Sequence, residues 1–186
     1  MMWVQPSVVL SPMIIAVAFA LAAAWMDFKE RRIPNRLVIA GIGVALLSQI
    51  AIYGVAGCGA ALAGLTLGFA LMLPFYVVGA MGAGDVKLMG MVGVGLGPGG
   101  VLSAAVLTVL IGGLLALALA MANGTLACLL SNVRAMLFGA FATVLMQRKA
   151  EVIAPAVSAG RLPYGIAIAL GTLLHVALLQ YGISVI

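Results

Sequence analysis

Charged residues are scarce in this chain of 186 residues. Asp, Glu, Lys and Arg make up 7% of it, whereas 66% is hydrophobic and the mean hydropathy is +1.32. Ordinary soluble domains carry about 25% charged residues. A soluble fold of this length could not bury so many apolar side chains in one core. The scarcity of charge therefore excludes a soluble protein and predicts an all-α polytopic membrane protein.

Cysteine is almost absent as well. Only Cys58 and Cys128 occur, without a Cys-x-x-Cys pair, so a disulfide framework and a four-cysteine zinc site are excluded. No convincing set of metal ligands and no cofactor motif is present, and neither a metal nor a cofactor is expected. The net charge of +5 includes no basic run with interleaved aromatics, so nucleic acid is not an expected partner. The basic residues flank apolar runs, which is typical of topology signals in a lipid bilayer.

The apolar runs predict six transmembrane helices, since a bilayer core of about 30 Å needs about 20 apolar residues. The first run, Ser7–Met26, could be a cleaved signal peptide. No Lys or Arg precedes it and basic residues follow it, so we interpret it as a retained helix. The remaining predicted spans are Leu37–Tyr53, Ala60–Ala80, Val86–Gly97, Val101–Ala122 and Leu162–Leu179.

The fourth predicted span is too short to cross a membrane unaided. Val86–Gly97 amounts to about 18 Å of helix at about 1.5 Å per residue, and Gly97–Gly100 then forces a turn. We expect this helix to start below the cytoplasmic surface, with the Gly82–Asp85 turn sunk into the protein. Irregular backbone at that depth must be shielded by protein or line a watery cavity. A smooth packing face is expected from Gly90, Gly93 and Gly97.

The segment Leu126–Met146 allows two arrangements, because Asn132 and Arg134 interrupt it. If it crossed the membrane, Arg161 would lie outside. If it lies along the cytoplasmic face as an amphipathic helix, all nine basic residues fall inside. We prefer the second arrangement, which gives six spans and one surface helix in a single domain, residues 1–186. The sequence leaves the crossing alternative open.

Four acidic residues occur in the chain, and two of them differ from the others. Glu30 and Glu151 lie in polar segments and are most simply solvated. Asp27 and Asp85 each lie at the cytoplasmic edge of a predicted span, so their carboxylates can meet. Two carboxylates in contact share a proton, and one can then activate water while the other protonates a substrate carbonyl. The pair predicts aspartic-protease chemistry, although either acid alone is more simply an interfacial charge or a cap.

Each of these acids belongs to a distinctive short segment. Gly82 and Gly84 precede Asp85, and Lys87 follows it, in M-G-A-G-D-V-K-L-M. Asp27 opens the most charged stretch of the chain, D-F-K-E-R-R-I-P-N-R. There Pro34 stops a helix, and Asn35 is expected to cap the helix that follows.

Both segments resemble motifs of one family. G-A-G-D-V-K-L at Gly82–Leu88 resembles the G-x-G-D-x-K-L signature of the type IV prepilin peptidases, which belong to the G-x-G-D intramembrane aspartic peptidases. D-F-K-E-R-R-I-P-N at Asp27–Asn35 is similar to that family's other motif, and R-L-P-Y-G-I-A-I at Arg161–Ile168 to a weaker segment opening the last helix. By this resemblance Asp27 and Asp85 are the catalytic pair. The implied supporting or substrate-positioning residues are Gly82, Gly84, Lys87, Pro34 and Asn35.

The resemblance also implies a substrate and a location. The substrate would be a prepilin or pseudopilin, whose short basic leader is removed at the cytoplasmic face of the bacterial inner membrane. Larger members carry an N-terminal extension with paired Cys-x-x-Cys motifs and also methylate the new terminus. This chain lacks those cysteines and is similar to the short form associated with Flp/Tad pilus systems, so we expect a peptidase without methyltransferase activity.

Two other classes of protein could carry the same pair of acids. A small transporter could bind a cation or relay protons through Asp27 and Asp85, and a non-catalytic subunit of a secretion assembly is the other alternative. The joint occurrence of both motifs favours the peptidase. The oligomeric state, the role of His175 and whether the two aspartates touch without substrate are not determined by the sequence.

Overall fold

The structure is a computed structural model that describes residues 6–127, 130, 131, 133, 134 and 164–183. In these ranges the chain forms four α-helices and no strand. Three of them are long and apolar enough to cross a membrane. The all-α prediction is confirmed, and the surface helix predicted at 126–146 lies largely outside the described residues. The helices are α1 (Pro6–Glu30), α2 (Asn35–Val77), α3 (Ala83–Ala122) and α4 (Tyr164–Gln180).

Helix α2 reverses direction at a single glycine. Gly54 has φ 62° and ψ −141°, a left-handed conformation that side chains other than glycine rarely adopt. A Cβ on Gly57 would touch the carbonyl oxygen of Gln49, eight residues earlier in the chain. In a straight helix those positions would lie about 12 Å apart along the axis. The segments 35–53 (α2a) and 55–77 (α2b) therefore fold back on each other.

Helix α3 reverses in the same way at Gly97, which has φ 72° and ψ −179°. Before the glycine, the segment 83–96 (α3a) runs away from Asp85. After it, the segment 98–122 (α3b) returns alongside α4, because Gly100 lies against His175 and Gly112 lies against Tyr164. The two reversals divide α2 and α3 into four straight segments, and with α1 and α4 the described residues hold six.

A buried glutamine compensates for the helical hydrogen bonds that the Gly97 reversal removes. In a continuous helix the carbonyl of Val94 would accept from residue 98, but Pro98 has no N–H. Gln49 of α2a, which is 6% exposed, donates its side-chain Nε2 to the carbonyls of Val94 at 3.2 Å and Gly95 at 3.1 Å. Such side-chain donors satisfy backbone carbonyls next to a break in a helix. Gln49 thereby joins α2a to the end of α3a.

Segment α3a is the centre of the fold. Every residue from Leu88 to Gly97 is buried, because the other helices surround this segment. The closest approach is between Gly93 and Gly64 of α2b, where either glycine's Cβ would strike the other's backbone. Small residues permit such contact between helices in a membrane. Because the other helices cover it, this short apolar helix can lie in the middle of the fold.

The structure corrects several details of the predicted spans. The six helical segments overlap the apolar runs predicted as spans, with ends that differ by up to five residues, and three of the helices are long and apolar enough to cross a membrane. Helix α1 continues to Glu30, three residues beyond Asp27. Gly90 and Gly93 pack against neighbours as expected. Gly97 packs through its backbone, since a Cβ on Gly64 would lie 3.0 Å from the carbonyl carbon of Gly97. Its φ of 72° also reverses the chain.

Candidate active site

Asp27 lies on the buried face of α1. Ala16, Ala20, Ala23 and Asp27 recur every three or four residues, and none of them is more than 8% exposed. Small side chains at this spacing form one stripe along a helix and let its neighbours approach closely. Because α1 continues for three residues beyond Asp27, the carboxylate is carried by ordered helix rather than by the polar loop.

Asp85 lies in the first turn of α3. The N-cap residue is Gly82, with extended backbone at φ −84° and ψ 158°, and its N–H donates to Asp85 Oδ2 at 3.0 Å. Since glycine has no side chain, this contact is only one half of a capping box. Gly84 faces Ile33, whose Cβ would be 3.3 Å from a Cβ at position 84. The two motif glycines therefore have different contacts, since Gly82 donates a hydrogen bond to Asp85 and Gly84 packs against Ile33.

Asp27 is held in place by a hydrogen bond from a residue near the C-terminal end of the described chain. Gly165, the second residue of α4, donates its backbone N–H to Asp27 Oδ2 at 3.0 Å, across 138 residues of sequence. This hydrogen bond is buried. The sequence did not identify Gly165 as a site residue. The only signal was the resemblance of Arg161–Ile168 to a weaker family segment, which assigned no role to any residue within it.

The two aspartates line one cleft of about 590 Å³. Both side chains are 8% exposed, and Asp27 is close enough to act electrostatically on Asp85. The cleft is therefore large enough for a peptide segment and water beside a pair of acids. Every site residue predicted from the sequence lines it, since the lining also contains Gly82, Gly84, Lys87, Pro34 and Asn35.

Lys87 and Asn35 connect the two motif segments. Lys87 Nζ donates to Asn35 Oδ1 at 3.1 Å, across 52 residues of sequence. Asn35 was expected to cap α2, but that prediction is wrong. The N-cap residue is Pro34, with φ −67° and ψ 131°, and it makes no side-chain cap bond. The side chain of Asn35 instead accepts from Lys87 and braces the start of α2 against the start of α3.

Charged residues at the end of α1 and in the polar loop 31–34 complete the lining of the cleft. Glu30, Arg31 and Arg32 all line it, and Glu30 is exposed as predicted. Arg31 has φ 53°, and its N–H donates to the backbone oxygen of Asp27 at 2.9 Å. A left-handed residue of this kind ends a helix by satisfying one of its last carbonyls. It redirects the chain from α1 towards Pro34.

The remaining sequence candidates lie away from this cleft. Among the described residues, no group of three or more His, Cys, Asp or Glu is placed to hold a metal ion. His175 lies ten residues beyond Gly165 on α4, about 15 Å along the helix axis. It is 3% exposed, and neither ring nitrogen has a hydrogen-bond partner in the part of the chain that the structure describes.

A comparison with known families decides what class of protein carries this cleft. A family model described as the type IV leader peptidase family matches residues 14–121, more than half of the chain. The chain belongs to the type IV leader peptidase family. This membership confirms the resemblance to the prepilin peptidases and supports a protease. No curated protein and no solved structure matches the chain.

The match with the type IV leader peptidase family covers most of the site residues but not Gly165. It contains both aspartates, both motif glycines of the Asp85 turn, and the pair Lys87 and Asn35. It ends at residue 121, before α4 begins at Tyr164. The hydrogen bond from Gly165 to Asp27 therefore joins the matched part of this leader peptidase to a helix outside the match.

Proposed function

We propose that this leader peptidase is an intramembrane aspartic endopeptidase in which Asp27 and Asp85 are the catalytic pair. The single observation that carries the proposal is the placement of two buried carboxylates in one cleft, although 58 residues separate them in sequence. Each uses one oxygen, Oδ2, to accept a backbone N–H. Such anchoring holds both acids in place for reaction with a peptide and a water molecule.

The chemistry follows from two neighbouring carboxyl groups that share one proton. The ionised member takes a proton from water as the water oxygen attacks the scissile carbonyl carbon. The protonated member gives its proton to the carbonyl oxygen, and a tetrahedral diol forms. The proton taken from water then passes to the leaving nitrogen as the C–N bond breaks, and a diol proton returns to the pair. The reaction consumes one water and needs no other reactant.

The substrate class follows from family membership. We propose that the enzyme removes the leader from a type IV prepilin or pseudopilin, and that this substrate is of the Flp type. A leader peptide enters the cleft from the side of the polar loop, where Glu30, Arg31 and Arg32 line it. The apolar remainder of such a substrate stays in the bilayer beside the helices.

The proposed orientation places the cleft at the cytoplasmic face of the inner membrane. The basic residues Lys29, Arg31, Arg32 and Arg36 all lie within or at most two residues from the loop 31–34, which lines the cleft, and basic loops stay on the cytoplasmic side. The six straight segments each cross the bilayer in this arrangement and form one transmembrane peptidase domain. Large outward-facing apolar side chains such as Leu47 and Val55, 69% and 91% exposed, then contact lipid.

Co-expression with an Flp-type prepilin, in a host without its own prepilin peptidase, tests this proposal. Leader removal, read by gel shift, is expected for the wild type and absent for Asp27→Asn and for Asp85→Asn. Glu151→Gln is the matched control, because it makes the same acid-to-amide change outside both motif segments. It is expected to process the substrate.

Three outcomes would contradict different parts of the proposal. Processing by either folded aspartate variant would overturn the catalytic pair. Cleavage of another prepilin class but not of the Flp class would overturn the substrate assignment. Failure of the folded wild-type protein to cleave any prepilin would overturn the peptidase function itself.

A further inference from the structure

The first turn of α4 packs against the side chain of Asp27. Gly165 donates its N–H to Asp27 Oδ2 at 3.0 Å in a buried position. A backbone N–H directed at a carboxylate oxygen is a charge-assisted hydrogen bond, and such bonds are stronger than neutral ones. The bond is also long-range, so it forms only when α1 and α4 are packed together.

We propose that Gly165 is a positioning residue for Asp27, and that the start of α4 belongs to the active site. Its N–H holds one carboxylate oxygen and leaves the other for the reacting water or the substrate. This inference rests on the proposed function, because it assigns Gly165 a role through a catalytic Asp27. It extends the site beyond the residues matched by the family model, which end at 121.

The absence of a side chain at position 165 is the second element of the argument. A Cβ there would lie 3.0 Å from Asp27 Oδ2, 3.1 Å from its Cβ and 3.3 Å from its Cγ. Three contacts of this length with one side chain would push the carboxylate aside by a few tenths of an ångström. Displacement of a catalytic group by such small distances lowers the rate of the chemical step.

Neighbouring Tyr164 fixes where the first turn of α4 lies. Its ring packs on Gly112 of α3b, where a Cβ would be 3.0 Å from Tyr164 Cε1. Tyr164 is also within electrostatic range of Asp85. Of the two successive residues at the start of α4, Gly165 donates a hydrogen bond to Asp27 and Tyr164 anchors the turn on α3b.

Steady-state kinetics of Gly165→Ala test the positioning role. With purified enzyme and an Flp-type prepilin in mixed micelles, we expect kcat to fall about 10- to 100-fold, as for a misplaced catalytic group. KM should stay within about twofold, because the change affects the transition state rather than substrate binding. The matched control is Gly171→Ala on the same helix, whose Cβ would press on Thr108, 2.8 Å from its backbone nitrogen. It should lower Tm and leave kcat unchanged.

A stability cycle tests the contact without any need for activity. Gly165→Ala is compared in the wild type and in Asp27→Ala, where the carboxylate is gone. The loss of Tm caused by Gly165→Ala should be about 2–4 °C in the wild type and smaller in Asp27→Ala. The loss caused by Gly171→Ala should be the same in both.

The outcomes separate this inference from the function on which it rests. An unchanged kcat in Gly165→Ala, or an equal loss of Tm in the two backgrounds, would overturn the positioning role. Coupling in the stability cycle together with a wild type that cleaves no prepilin would overturn the proposed function and support the contact between Gly165 and Asp27.

Discussion

The two aspartates of the cleft are held in place by hydrogen bonds of the same length, but one donor is close in sequence and the other is distant. Asp85 accepts from Gly82, three residues earlier, within a single helical turn. Asp27 accepts from Gly165, at the other end of the described chain. One acid is therefore positioned by a local motif and the other by the packing of α1 against α4. The comparison teaches that one half of this site can form early and locally, whereas the other requires the assembled fold.

Replacing either aspartate should have the largest effect on kcat, and the loss should be the same for both. The two acids differ in the hydrogen bonds that hold them and not in their chemistry. Asp27→Asn and Asp85→Asn should each lower kcat by about 10³-fold or more, in the upper range for loss of a general acid or base. Single-turnover cleavage of a labelled prepilin measures this loss. A tenfold difference in residual activity between the two variants would show that the acids are not equivalent partners.

The local anchor can be removed without disturbing the remote one. Gly82→Pro deletes the N–H that Asp85 accepts, and it should lower kcat about tenfold, as expected for a charge-assisted hydrogen bond. Gly82→Ala keeps the N–H, its φ of −84° suits any residue, and its Cβ would lie 3.4 Å from Asp85 Oδ2. It should retain nearly full activity. Equal losses in the two variants would mean that the missing side chain, and not the donor, is what matters at position 82.

Loss of the hydrogen bond between Lys87 and Asn35, which joins the two motif segments, should lower activity less. Lys87→Met and Asn35→Leu each remove the hydrogen bond at 3.1 Å, which is exposed and outside the pair of acids. We expect each change to lower kcat/KM about two- to fivefold, and the double variant to be no worse than either one. Additive losses in this double-mutant cycle would show that Lys87 acts on the site independently of Asn35.

The smallest effect on catalysis is expected from substitution of Gln49, which contacts the end of α3a away from Asp85. Gln49→Leu removes the side-chain donor to the carbonyls of Val94 and Gly95, and each lost hydrogen bond costs about 0.5–1.5 kcal/mol. Thermal unfolding in detergent should show a Tm lower by several degrees, with kcat unchanged for the folded fraction. A lower kcat with unchanged Tm would indicate that the reversal at Gly97 communicates with the aspartates.

Much of this arrangement could be predicted from the sequence because the relevant signals are local. Apolar runs marked the helical segments, and the spacing of Gly82, Gly84 and Asp85 indicated a turn carrying an acid at a helix start. The charged stretch after Asp27 indicated the polar end of the molecule. Each of these signals depends on residues within a few positions of each other, so no knowledge of tertiary packing was needed.

The features that could not be predicted depend on contacts between distant segments. No periodicity relates Gly165 to Asp27, since only the packing of α4 against α1 brings them together. The reversal of α2 at Gly54 alone, without a longer turn, depends on how α2a and α2b pack. Asn35 has a side chain suited to capping, but Pro34 already occupies that position and Lys87 takes up the Asn35 oxygen.

The enclosure of α3a has a consequence for how the enzyme relates to its membrane. Leu88–Gly97, which follow Asp85 in the chain, are all buried by neighbouring helices, whereas Ala83 at the start of α3a is exposed. Hydrophobic mismatch acts on helices through their lipid-facing surface, which tilts them when the bilayer becomes thicker or thinner. We therefore expect a change in bilayer thickness to reach Asp85 only through the helices that pack around α3a. Such indirect transmission would reduce the effect of lipid composition on the position of this acid.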